Sequence, residues 1–220
     1  MLMSQVLSTL LYGASGHASV VADALRLDGR FSIIGCVDDR DPQPRSTPAG
    51  TVLGSGEALP ALRQQGITHI LIAIGDNAVR LGLAQRALAL GFELATAIHP
   101  RATVAQSATI GAGSVLMAGS VVNPGASIGS NCIINTCSCV DHDCELGEGV
   151  HICPGAHLAG HVQVGAGTMI GVGAAVRDQV RIGKGCIIGA GAAVVCDIPD
   201  YSVAVGVPAR VVRQVGPIIV

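Results

Sequence analysis

Residues 102–197 read ATVAQS-ATIGAG-SVLMAG-SVVNPG-ASIGSN-CIINTC-SCVDHD-CELGEG-VHICPG-AHLAGH-VQVGAG-TMIGVG-AAVRDQ-VRIGKG-CIIGAG-AAVVCD, sixteen consecutive hexads without an insertion. The third residue of every hexad is aliphatic, from Val104, Ile110 and Leu116 through to Ile182, Ile188 and Val194. The first is always Ala, Ser, Cys, Val or Thr, so it is never large. Glycine often follows the aliphatic residue, as at Gly111, Gly129, Gly147, Gly165, Gly171, Gly183 and Gly189. A period of six matches neither the helical 3.6 nor plain strand alternation. It fits a short strand followed by a tight turn, and three such units close a triangular coil. The aliphatic side chain then points into the prism and stacks on its equivalent one coil away, at the strand-pairing spacing of about 4.8 Å. The small residue sits inside at the corner, where a larger one would clash. Glycine supplies turn conformations that a Cβ would obstruct. Sixteen hexads predict about five coils.

Composition agrees with a narrow prism. Half of the 220 residues are hydrophobic, yet only four are Phe or Tyr and none is Trp. Charged residues are 13% of the chain, few for a lone monomer's surface, which points to a homo-oligomer. Net charge is −2, and Arg and Lys form no run or stripe, so nucleic-acid binding has no electrostatic footprint. Ser and Thr interrupt the first eleven residues, and no apolar stretch reaches the length of a membrane span. Neither a leader nor membrane insertion is expected. Of the eight cysteines, Cys132, Cys137, Cys139 and Cys144 cluster, but no C-x-x-C pair occurs. Cys132, Cys144 and Cys186 also occupy the small-residue position of their hexads. They read as reduced, buried thiols of a cytoplasmic protein rather than disulfides or zinc ligands.

Residues 1–100 form a different domain. Val6–Tyr12 is an apolar run ending in Gly13-Ala14-Ser15-Gly16-His17, followed by a helical pattern over Ala18–Leu27. A second run, Phe31–Val37, ends in Asp38-Asp39. A third, His69–Ile74, ends in Gly75-Asp76-Asn77 and leads into an Ala/Leu-rich helix over Ala78–Leu90. Strands alternating with helices predict a small parallel sheet with ligands at the strand C-terminal ends. The glycine-rich turn is not a full G-x-G-x-x-G, but amides at a helix N-terminus still suit a phosphate. Carboxylates ending the second strand suit ribose hydroxyls or base N–H groups. The proline-containing stretch Asp41–Thr51 reads as a surface loop.

Among the seven histidines, His142 is singled out by its place in the hexad. Val140 points inward, so His142, two residues on, falls at a turn and projects outward between Asp141 and Asp143. A carboxylate accepting from one imidazole nitrogen would fix the tautomer and raise the basicity of the other. Gamma-type carbonic anhydrases hold zinc on a similar prism, but the histidine pair five residues apart that their pattern demands is missing. No metal is expected. The ranks of Thr that an ice-binding prism needs are missing as well.

Taken together, the Gly-Ala-Ser-Gly-His turn, the Asp-Asp strand end, the uninterrupted hexads and the closing Val205-Gly206-Val207-Pro208-Ala209-Arg210 resemble the sialic-acid O-acetyltransferase/bacillosamine N-acetyltransferase group of hexapeptide-repeat enzymes. The resemblance covers nearly the whole chain and is strongest to members that acetylate nucleotide-linked amino sugars. It implies a Rossmann-like α/β domain over residues 1–100 and an all-β left-handed parallel β-helix with a C-terminal tail over 101–220. It further implies a homotrimer with active sites between neighbouring prisms, acetyl-CoA as co-substrate, and a nucleotide-linked amino-dideoxy sugar such as GDP-perosamine as acceptor. The group's catalytic His followed by an acidic residue falls on His142-Asp143. Bacillosamine enzymes carry Glu at the second position, so a UDP-4-amino sugar is the less favoured acceptor. The Asn near the acceptor falls on Asn135, the His near the thioester on His151, and the amide holding the thioester oxygen on Gly160. CoA contacts fall on Val172 and Ala190. Nucleotide contacts fall on Ser15, Gly16, His17, Asp38 and Asp39, joined by Gly75 at the third strand end.

In the expected reaction His142 takes a proton from the sugar amine while Asp143 orients the ring, and no acetyl-enzyme forms. Two alternatives stand beside it. One is a sugar O-acetyltransferase of the sialic-acid type. The other is a non-catalytic nucleotide-sugar-binding scaffold.

Overall fold

The computed structural model describes residues 6–216. Residues 1–5, which belong to the stretch read as lacking a leader, and residues 217–220 lie outside the described residues. The chain divides into two compact units, with the boundary between Pro100 and Arg101.

In the first unit the elements run β1 (Leu7–Tyr12), α1 (Gly16–Asp28), β2 (Phe31–Val37), β3 (Ser46–Thr47), β4 (Gly50–Thr51), α2 (Leu59–Gln64), β5 (His69–Ile72), α3 (Asn77–Ala89) and β6 (Glu93–Leu94). Four strands form a parallel sheet in the order β2-β1-β5-β6. The chain leaves β1 to one side for β2 and to the other for β5, so the strand order reverses next to β1, where open α/β sheets bind ligands. Helix α1 buries Ala18, Val21, Ala22 and Leu25, one stripe at helical spacing, and ends at Gly29 in a left-handed cap (φ 77°). Sheet residues Leu10, Tyr12, Val37, Ile70 and Ile72 share a core with Leu59, Ala84, Ala87 and Phe92. The stretch read as a loop contains a short antiparallel hairpin, Ser46 opposite Thr51 and Thr47 opposite Gly50. Its prolines, which cannot donate to a ladder, hide that strand signal in the sequence.

The second unit is a parallel β-solenoid. Its two-residue strands pair with those eighteen positions away, as Val121–Val122 with Cys139–Val140 and Cys139–Val140 with His157–Leu158. Three ladders result. The first face runs from Thr103–Val104 to Ala193–Val194, the second from Thr109–Ile110 to Arg181–Ile182, and the third, within this unit, from Val115–Leu116 to Ser202–Val205, which Arg210–Gln214 extends as an antiparallel strand. From Leu116 onward every third-position aliphatic residue is at most 4% exposed. Val104 and Ile110 are half-buried because no coil precedes them. Buried first-position hydroxyls brace the corners. Thr168 Oγ1 donates to the Gly183 carbonyl (2.7 Å) and accepts from the Cys186 amide (2.9 Å).

Two expectations need correcting. The coils do not stop at Asp197. Ile198 bridges Ile182 and Val203-Ala204 pairs with Ile187-Ile188, which adds a sixth coil after the hexad register has been lost at Ile198-Pro199-Asp200. Glycines after the aliphatic residue are also not the turn formers. A Cβ on Gly165 would lie 2.4 Å from the Lys184 nitrogen and one on Gly171 2.5 Å from the Ile188 oxygen, so these glycines let adjacent coils approach. The left-handed turn residue is the sixth of the hexad. It is usually Gly, but Asn131, Cys137, Asp143, His161 and Gln179 adopt the same conformation with φ between 54° and 61°.

Candidate active site

In the first unit, the strand ends of β1, β2 and β5 surround a cavity of about 280 Å³. Ser15, Asp38, Asp39 and Gly75 line it, together with Tyr12, Gly13, Arg40, Asp76 and Val79. Two helices start there. Ser15 caps α1 without a side-chain bond, and Asp76 caps α3 by accepting from the Val79 amide at 2.9 Å. Gly13 is required: its φ is +115°, and a Cβ would meet the Ala73 carbonyl at 2.9 Å. Gly16 and Gly75 have open space around the Cβ position.

Both aspartates are tied into this framework. Asp38 is 9% exposed; its Oδ2 accepts from the Ala14 amide (2.9 Å) and its Oδ1 from the amides of Arg40 (2.9 Å) and Asp41 (3.2 Å). Asp39 accepts from the Tyr12 hydroxyl (2.7 Å) and the Gly56 amide (2.8 Å). Burial, then that bond to Asp39, pushes the Tyr12 phenol well above its ordinary pKa, so it stays a donor. A carboxylate offers roughly four acceptor directions, so each keeps capacity beyond these bonds. Gly16 and His17 do not line the cavity. His17 is half-buried with Nε2 lacking a partner, and burial, then the Arg80 guanidinium, hold its imidazole below the ordinary value. Arg80 is itself buried and donates to the carbonyls of Ile74 (3.0 Å) and Gly75 (3.2 Å), which fixes the third strand end.

In the second unit, His142 is exposed on the corner between the first and second faces. Its Nδ1 lies 2.8 Å from Asp143 Oδ2, and its amide donates to Asp141 Oδ1 at 2.7 Å. Asp141 Oδ1 also accepts from Asn123 Nδ2 (2.7 Å), and these two bonds lower its pKa and keep it ionised. With Nδ1 donating to Asp143, Nε2 is left as the basic nitrogen. The bond to Asp143 raises the His142 pKa; slight desolvation opposes it, and Asp141 adds to the rise. One coil on, Gly160 lies against the ring: a Cβ there would sit 2.5 Å from His142 Cε1 and Nε2. Gly160 therefore leaves room for the imidazole.

Residues 9–87 match the PglD N-terminal domain, and residues 161–195 match the bacterial transferase hexapeptide (six repeats) family. A solved mutant of perosamine N-acetyltransferase from Caulobacter crescentus, in complex with CoA and GDP-perosamine, is 42% identical, with a TM-score of 0.91 over 96% of this chain and 99% of that one. The chain belongs to the hexapeptide-repeat nucleotide-sugar N-acetyltransferases. Among curated relatives, GDP-perosamine N-acetyltransferase of Escherichia coli O157:H7 is 32% identical over 91 residues, 41% of this chain and 41% of the relative. UDP-N-acetylbacillosamine N-acetyltransferase of Bacillus subtilis (strain 168) is 38% identical over 113 residues, 49% of this chain and 50% of the relative. The matches thus span half or less of these two curated proteins.

The residues that resemblance to these N-acetyltransferases assigns to chemistry fall on two different corners of the solenoid. His142, Asp143 and Gly160 share the corner between the first and second faces. Asn135, Val172 and Ala190 follow third-face strands and occupy the corner between the third and first faces. His151 lies on the third face, nearly buried, with Nε2 3.1 Å from Asn135 Nδ2. Val172 and Ala190 are exposed. One residue escaped the sequence reading. His161 stands one coil above Asp143, with Nε2 3.7 Å from Asp143 Oδ2 and its ring edge-on to His142 at 5.1 Å between centroids. The signal was its eighteen-residue offset from Asp143.

Proposed function

We propose that this chain transfers acetyl from acetyl-CoA to the amino group of a nucleotide-linked amino-dideoxy sugar. GDP-perosamine is the favoured acceptor and a UDP-linked 4-amino sugar the second. The observation that carries this reading is the His142–Asp143 pair on a rigid corner, with Nε2 free of the carboxylate and facing the glycine of the next coil. A sugar amine is largely ammonium at neutral pH and attacks a thioester only after losing a proton. His142 Nε2 accepts that proton, the nitrogen lone pair adds to the thioester carbon, and the Gly160 amide holds the resulting oxyanion. Collapse breaks the carbon–sulfur bond, and the second proton of the former amine passes to the departing thiolate, so that CoA leaves as its thiol. Cys139 is not needed as a nucleophile, since burial, then Asp141, push its thiol pKa up and keep it protonated.

The cavity at the β1, β2 and β5 strand ends takes the nucleotide, with phosphates toward the N-termini of α1 and α3. Because the His142 corner and the Asn135/Val172/Ala190 corner are separate on one prism, a homotrimer brings the first from one copy beside the second from its neighbour. All eight cysteines are free, and those with resolved shifts are pushed up by burial, in keeping with a reducing cytoplasm.

The test is thiol release from acetyl-CoA with a panel of GDP- and UDP-linked amino and hydroxy sugars. His142→Asn lowers kcat at least about tenfold, a cautious floor for general-base help, while CoA affinity by calorimetry stays nearly unchanged. Full activity in that variant removes the role of His142. Turnover with hydroxy sugars alone makes the chain an O-acetyltransferase, and turnover with none leaves a binding scaffold.

A further inference from the structure

The corner that carries His142 brings together more nitrogen and oxygen donors than a proton transfer needs. Asp143 Oδ2 is 2.8 Å from His142 Nδ1 and 3.7 Å from His161 Nε2, and one donor atom from each of the three residues lies within 4.8 Å of the others. Bonds of about 2.0–2.2 Å from a tetrahedral cation to imidazole nitrogen and carboxylate oxygen put neighbouring ligand atoms about 3.3–3.5 Å apart. The two measured separations straddle that range. The three residues sit on adjacent coils joined by backbone ladders. The His161 amide donates to the His142 carbonyl at 2.9 Å and the Asp143 amide to the Pro124 carbonyl at 3.1 Å. Asp143 and His161 are both held in the left-handed turn conformation (φ 57° and 58°), which aligns their side chains one above the other. All three are exposed, so a bound ion would keep one or more open positions. Asp141 lies beside the group, its Oδ1 accepting from the His142 amide at 2.7 Å, while Arg181 shares the cavity next to His161 with Gln163 and Gln179.

From this geometry we infer a binding site for a borderline divalent transition-metal ion, Zn²⁺ or Co²⁺, formed by His142, Asp143 and His161, whose filling shuts off the base. Two imidazoles and one carboxylate select such ions over Mg²⁺ and Ca²⁺, which prefer oxygen ligands. An ion bound through Nδ1 takes the place of the proton that Nδ1 gives to Asp143, and the neutral ring then carries its single proton on Nε2, the atom that must be bare to accept from an amine. The site therefore inhibits; it is not a cofactor site. The inhibition rests on the role proposed for His142, whereas the binding does not.

The experiment titrates the full chain, free of CoA and nucleotide sugar, with Co²⁺ by visible absorption and with Zn²⁺ by calorimetry. One ion per chain is expected, unaffected by millimolar Mg²⁺. His161→Gly places at that turn its commonest occupant, so folding is preserved, and should weaken binding at least about tenfold, as removing even an outer-shell partner of a metal ligand does. Asp143→Asn should do the same. Absence of saturable binding, equal binding in His161→Gly, or displacement by Mg²⁺ overturns the site. Zn²⁺ should also suppress acetyl transfer reversibly, with a chelator restoring it. A chain that binds Co²⁺ as described but transfers no acetyl group under any condition keeps the site and sinks the proposed reaction.

Discussion

Asp143 decides how His142 behaves as pH falls. Its bond to Nδ1 is the first cause of the raised imidazole pKa, with Asp141 acting in the same direction through space. A base works only when neutral, so activity rises as pH climbs through that folded-state value, which is raised from the ordinary imidazole value. Asp143→Asn removes the main cause of the rise, and the midpoint of the acid limb of kcat/KM should move to lower pH. The plateau should fall too, because Nδ1–H is no longer held and the wrong nitrogen can carry the proton. A pH–rate profile with an unmoved acid limb would show that the carboxylate does not touch the titrating group. His142 and Asp143 were legible in the sequence because a period of six says which residue sits at a turn. His161 was not, since its partnership with Asp143 arises only when coils stack.

Among the repeats, the two kinds of glycine make opposite demands, and the sequence alone merged them. A Cβ on Gly165 would press on the Lys184 nitrogen at 2.4 Å and the Gly183 carbonyl carbon at 2.6 Å, backbone atoms that cannot swing aside. Gly155 has a left-handed φ of 65° and open space around it. Gly165→Ala should therefore cost roughly 1–3 kcal/mol, as overpacked interiors do. Gly155→Asn should stay within about 0.5 kcal/mol, because Asn tolerates the left-handed region and already fills the equivalent turn at Asn131 (φ 54°). Urea or thermal melts compare the two directly; equal losses would mean that steric approach between coils is not what the fourth residue of a hexad is for. Coil geometry was readable wherever the hexads persist. It became unreadable at Ile198-Pro199-Asp200-Tyr201, where the ladder continues without the pattern. In the first unit the strand–helix alternation was readable. The bonds that tie Asp38 and Asp39 into the framework were not, because those to Ala14, Tyr12 and Gly56 join residues far apart in the sequence.

For the molecule as a whole, the proposed active-site residues lie on two separate corners, and the proposed homotrimer would make catalysis a property of the assembly. His142 with Gly160 on one corner and Val172 with Ala190 on another do not meet on a single prism, so in the proposed reaction each would use a neighbour's complementary corner. The low fraction of charged residues, 13%, fits a chain that covers part of its surface with copies of itself. Mixing two inactive chains tests this. His142→Ala lacks the base but keeps the CoA corner; Ala190→Trp keeps the base but fills the exposed corner with an indole. Each alone should be inactive. In trimers assembled at random from equal amounts, a site works when its base comes from the second variant and its CoA corner from the first. Two independent choices of one half give about a quarter of wild-type specific activity under the cyclic symmetry proposed. Co-expressed or dissociated-and-reassembled mixtures measured by thiol release give the number directly. No recovery, with both variants still trimeric by light scattering, would place the whole site within one copy and end the inter-subunit reading.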